Sequence, residues 1–260
     1  AIWDFGGAWP SYLLGCSWGG VLLITLILAP VTPEIRGTET NIHRRVSLRE
    51  ILPRLDDYVR SLAMMAIPII AISMAVMFMR NSTSGIQNSI YVVYLEGIGL
   101  TGTMIGVLFA VIEAASGLGS LLGGRAMRIG DPRWTLVHGT SIAILAIIIT
   151  PLFVWLAPTM AILISLLILA QFARGIVQGL TQPVMFSVQS QAVPINQQGA
   201  VVGLRQTINR GAAILVPPIM GLFADHWGIA ESFFILGIIL LAMCCMLMVW
   251  VYRTSGTKGT

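Results

Sequence analysis

MAILISLLILAQFARGIVQGLTQPVMFSV, Met160 to Val188, is the stretch whose reading decides the fold. As a helix it is long enough to cross the roughly 30 Å of bilayer hydrocarbon. Its middle nevertheless carries Gln171, Arg174, Gln178 and Gln182. Those four positions recur at spacings of three and four, which on a helix is a single face. A guanidinium cannot shed its proton and costs roughly 2.5–3.5 kcal/mol at the centre of a membrane helix, so it faces a watery cavity or a partner.

The surrounding composition agrees with a membrane setting. Hydrophobic residues make up 56% of the chain and charged residues 10%, with a mean hydropathy of +0.86, unlike a soluble domain of this size. The net charge of +4 does not point to nucleic acid, because the basic residues fall in short loops between apolar runs and not on one soluble face. Cys16, Cys244 and Cys245 lie inside apolar runs away from any metal-ligand spacing, so buried reduced thiols are expected, with no metal and no cofactor.

Seven apolar segments predict an all-α polytopic membrane protein: Tyr12–Ala29, Leu62–Leu95, Thr103–Gly123, Leu136–Leu156, Met160–Val188, Val201–Phe223 and Phe233–Tyr252. Long continuous runs favour helices over a barrel, whose strands would alternate in polarity. Assigning loops alternately to the two sides puts Arg36 to Arg60, Arg125 to Arg133, Arg205, Arg253 and Lys258 together. The opposite loops carry no Lys or Arg, so the positive-inside rule predicts a cytoplasmic C-terminus.

That orientation sends the N-terminus outward with no signal to do so, and the chain reads as a fragment. A weak internal repeat agrees: Asp4, Gly7, Ser11 and Tyr12 before the first span match Asp225, Gly228, Ser232 and Phe233 before the seventh at a constant offset. Between them, residues 31–60 read as a cytoplasmic linker, with Ser47 and Glu50 forming a capping box for an amphipathic helix.

Three motifs carry a resemblance. Gly123-Gly-Arg-Ala-Met-Arg-Ile-Gly-Asp-Pro-Arg133 is similar to the loop signature between the second and third helices of a major facilitator superfamily repeat, with Gly123, Arg128 and Gly130 matching and Met127 replacing an acidic residue. Arg174-Gly-Ile-Val-Gln-Gly179 resembles that family's arginine motif, and Pro218-Ile-Met-Gly221 echoes its antiporter proline-glycine motif. The resemblance implies the sixth helix (residues 1–30), the linker, a C-terminal six-helix bundle (61–253) and a tail (254–260). It also implies alternating-access transport of a small molecule, usually driven by protons, with the missing N-terminal half as partner.

Charge depth adds candidates. Arg80, Glu113 and Arg174 each fall near the middle of a span, where solute and coupling-ion sites are expected. Glu113 either carries a coupling proton or pairs with Arg174 or Arg80. The second span also carries Asn81, Gln87, Asn88 and Tyr91, and a kink is expected near Gly85; the alternative ends that span at Met79 and leaves Arg80 to Ser89 as a loop. Gly175 and Gly179 read as helix contacts. Gln206 and Asn209 could reach a solute, Arg205 and Arg210 could snorkel to lipid, and Pro217-Pro218 should bend the sixth span. Gly123, Arg128, Gly130, Arg133, Pro218 and Gly221 are the expected conformational motif. Proton-coupled efflux of drug-like or amphipathic solutes is the leading expectation. A polar or anionic metabolite is the alternative, as is a receptor or scaffold that transports nothing.

Overall fold

A computed structural model describes residues 8–28, 59 and 61–255. The chain divides into two compact units, residues 1–54 and 55–260. Described residues of the first unit form one helix, α1 (Ala8–Leu28), which coincides with the first predicted span. Asp4, Gly7, the Ser47–Glu50 capping box, the linker arginines and Lys258 lie outside the described residues.

The second unit includes helical residues 61–63, a 3-10 turn over Met64–Ala66, and then α2 (Pro68–Asn88), α3 (Ile90–Gly97), α4 (Gly102–Ile129), α5 (Pro132–Ile148), α6 (Thr150–Leu156), α7 (Met160–Gln191), α8 (Ile195–Trp227) and α9 (Ile229–Ser255). Five spans are individually long and apolar enough to cross a membrane, with α2–α3 counting as one. The pair α5–α6, bent by 45°, makes a sixth. These six correspond to the second to seventh predicted segments.

Local chemistry sets the boundaries. Thr101 accepts from the Met104 amide to cap α4, Asp131 accepts from the Arg133 amide to cap α5, and Thr159 accepts from the Ile162 amide to cap α7. The α5–α6 bend follows from Pro151, which has no N–H to offer the preceding turn. Gly99 and Gly228, at φ of 92° and 98°, make the tight turns into α4 and α9 that a side chain would strain.

The break in the second span falls at Ser89, not at Gly85. Ser89 leaves helical geometry, and its hydroxyl donates to the Gly85 carbonyl at 2.7 Å, offering that carbonyl a side-chain partner. Residues 80–88 are helical, so the alternative of a loop over Arg80 to Ser89 does not hold. Helix α8 runs through both Pro217 and Pro218 without a break.

The bundle has an apolar core, including Ile72, Leu136 and Phe233, but also buries Ser73, Thr83, Thr140, Gln171, Arg174 and Gln189, while Leu121, Ile214, Leu222, Ile238 and Met246 are exposed, as a lipid solvent permits. Of the cysteines only Cys244 is buried; Cys16 and Cys245 are exposed on their helices, which corrects the expectation for those two.

Helices α4 and α7 approach most closely. A Cβ placed on Gly175 would meet the Ile112 carbonyl and Ala115, one on Gly179 the Ser116 carbonyl, and one on Gly119 the Ile176 carbonyl. Backbone thus lies directly against backbone, as small residues allow in membrane helices. Gly123 continues the contact against Pro183. This packing holds α7 so that its polar face turns toward α2.

Candidate functional site

That polar face meets α2 and α3 along a seam of four side-chain contacts. Gln189 Nε2 donates to Ser73 Oγ at 3.1 Å, and Arg80 Nη2 donates to Gln182 Oε1 at 2.8 Å. Farther along, Arg174 Nη2 donates to the Thr83 carbonyl at 3.2 Å, and Gln171 Nε2 donates to the Tyr91 hydroxyl at 2.8 Å. The seven residues from Ser73 to Arg80 are matched by seven from Gln189 back to Gln182. The eleven from Arg80 to Tyr91 are matched by eleven back to Gln171. That constant register is the mark of antiparallel helices. At helical rise the seam extends about 27 Å, close to the hydrocarbon thickness.

Beside the Arg80–Gln182 contact, α2, α7 and α8 enclose a cavity of about 230 Å3. Arg80, Asn81 and Gln182 line one side, Arg205, Gln206 and Asn209 the other, and Met77, Met185 and Phe186 supply apolar wall. No carboxylate among the described residues lines it. The Arg205 guanidinium lies over the Phe186 ring, 4.3 Å from its centroid, within cation–π range. Arg205 and Phe186 also border a second cavity of about 250 Å3, lined by Gln189, Ser190 and Gln198. The pair therefore borders both cavities.

The candidate residues separate into groups. Arg80 and Gln182 line the cavity, and Gln206 and Asn209 join them. Gln171 and Arg174 are buried in the seam, and Gln178 lies between Arg174 and Gln182 on the same helix. Gln87 is buried beyond the cavity on α2, and Asn88 is exposed. Glu113 is exposed on α4; it interacts electrostatically with Arg80 but is not among the groups acting on Arg174. The expected Glu113–Arg174 pair is therefore absent. Its place is taken by the Thr83 carbonyl, near the C-terminal end of α2, where the helix dipole favours a cation.

The motif residues lie elsewhere. Gly123 is buried against Pro183, Arg128 is exposed near the end of α4, Gly130 ends that helix, and Arg133 borders a cavity of about 410 Å3 with Asp131, Val188 and Gln191. Pro218 lies within α8, and a Cβ at Gly221 would meet nothing within 4 Å. Two functional candidates escaped the sequence reading. Arg205 reads as a lipid-facing arginine, and only the Phe186 ring four residues after Gln182 hints at a partner inside the bundle. Gln189 continues the face of Gln182 seven residues on, a signal that was there to be used.

The Major Facilitator Superfamily family model matches residues 61–260. The chain belongs to that superfamily. It is accordingly an integral membrane protein of the secondary-transporter class that moves small solutes across the bilayer. No curated protein matches it significantly. In transporters of this kind solute and coupling-ion sites lie near the bilayer midplane at the interface between repeats.

Proposed function

We propose that the chain supplies the C-terminal half of a secondary transporter whose cavity binds the anionic group of a small amphipathic solute. The carrying observation is the cavity lining: two arginines and four amide side chains, with no carboxylate among the described residues. Arginine's planar fork suits carboxylate and phosphate. Met77, Met185 and Phe186 provide surface for the hydrocarbon part. At about 230 Å3 the cavity is smaller than a drug-sized pocket and fits a head group, the remainder lying against the N-terminal half. This reading keeps the amphipathic solute of the leading expectation and takes its charge from the alternative.

In this scheme residues 1–30 are the sixth helix, 31–60 the cytoplasmic linker, 61–253 the bundle and 254–260 the tail, in a bacterial-type cytoplasmic membrane with the C-terminus inside. Glu113, acting on Arg80 across space, is the proposed proton carrier for efflux. Gly123, Arg128, Gly130, Arg133, Pro218 and Gly221 are assigned to the conformational change. Arg205, bordering both cavities, would pass the solute's charge from one to the other.

Counterflow in proteoliposomes made with the complete transporter tests this. A medium-chain carboxylate should exchange saturably and the amine of equal chain length should not. Exchange of the amine alone would refute the reading.

A further inference from the structure

We propose that Arg174 and Gln178 hold a single-atom inorganic anion, a halide, in the α2–α7 seam beside the solute cavity. The proposal goes beyond the solute reading and does not require it. Arg174 is 1% exposed, yet its Nε and Nη1 have no hydrogen-bond partner, and Nη2 reaches only the Thr83 carbonyl. Among the described residues the other buried side-chain polar atoms without partners are Asn81 Nδ2, Gln178 Nε2 and Gln171 Oε1. Gln171 and Gln178 lie one turn to either side of Arg174 on α7, on one face, whereas Asn81 lines the solute cavity.

Three donor nitrogens on α7, Arg174 Nε and Nη1 and Gln178 Nε2, thus stand against one unpaired acceptor, Gln171 Oε1, the wrong ratio for them to satisfy one another. Charge makes the imbalance sharper. The guanidinium stays protonated, and nearby Arg80 adds a like charge where a carboxylate would be expected. The Thr83 carbonyl and the Tyr91 hydroxyl are dipoles. Turning the Gln178 amide around would supply another dipole and leave the charge uncompensated. Water would satisfy the donors with the same shortfall. An anion meets both needs, and Nε–H and Nη1–H present a fork to it. Burial of Arg174 to 1% exposure favours a small anion over a larger one.

The test uses the complete transporter purified in detergent, with thermal unfolding followed in sodium chloride, bromide and gluconate at equal ionic strength. Chloride and bromide should raise the Tm saturably by several degrees over gluconate, and Arg174→Met should remove the difference. If Arg174→Met does not fold, Gln178→Leu takes away one donor and should weaken apparent halide affinity about tenfold. Crystals grown in bromide should show an anomalous peak within hydrogen-bond distance of Arg174 Nε and Nη1. Equal Tm in all three salts, with no such peak, overturns the proposal. Arg80→Gln separates it from the solute reading: solute affinity should fall while the halide shift persists. A halide shift that vanishes in Arg80→Gln, or that solute abolishes by competition, also overturns a separate site.

Discussion

Replacing Gly119 by Ala adds one methyl group where α4 faces the Ile176 carbonyl of α7. The obstacle is backbone, which cannot rotate aside as a side-chain tip would, so the two helices must separate. Gly117 is the internal control. It lies two residues away on the same helix, is exposed, and a Cβ there would meet nothing within 4 Å. Both substitutions gain the same helix propensity, about 1 kcal/mol. The difference between them therefore isolates the packing cost, about 1–3 kcal/mol for overpacking. At about 2–4 °C per kcal/mol for a unit of this size, Gly119→Ala should melt several degrees below Gly117→Ala. Thermal unfolding of the two variants of the complete transporter in the same detergent measures this. Gly179→Ala, aimed at the Ser116 carbonyl from the other helix, should behave like Gly119→Ala. Equal melting of Gly117→Ala and Gly119→Ala would refute the close α4–α7 approach, and with it the placement of the polar face of α7 against α2.

Tyr91→Phe removes the acceptor of Gln171 and leaves a second polar atom of that buried amide unpaired. It should cost about 1–3 kcal/mol of stability, read as a lowered Tm with solute affinity unchanged. Glu113→Gln should abolish transport driven by a pH gradient and preserve solute counterflow; loss of both would remove Glu113 from the coupling role. Phe186→Leu takes the ring from beneath Arg205 and should weaken solute affinity by less than Arg205→Gln does, because the interaction lost is about 0.5–2 kcal/mol.

The helices were legible because lipid imposes length and polarity together, and the polar face of Gln171, Arg174, Gln178 and Gln182 showed in the spacing alone. What that face touches was not legible. Arg174 bonds a backbone carbonyl 91 residues away, and every residue type has a carbonyl, so no side-chain pattern marks Thr83. Glu113 shares a depth with Arg174, but depth does not fix the rotation of a helix; the Gly119–Ile176 contact does, and it turns Glu113 outward. The break at Ser89 was misread as one at Gly85 because glycine marks backbone freedom, whereas here a serine hydroxyl competes for the carbonyl. Arg205 looks like any arginine near a helix end until α7 brings Phe186 beneath it.

The central claim is that the cavity between α2, α7 and α8 recognises negative charge through Arg80 and Arg205. Its most direct measurement is the affinity of a medium-chain carboxylate for the complete transporter and for Arg80→Gln and Arg205→Gln, by calorimetry at fixed salt. A hydrogen bond to a charged group contributes about 1.5–3 kcal/mol, so each substitution should weaken binding about 10- to 100-fold. Unchanged affinity in both variants, with folding intact, would contradict the account.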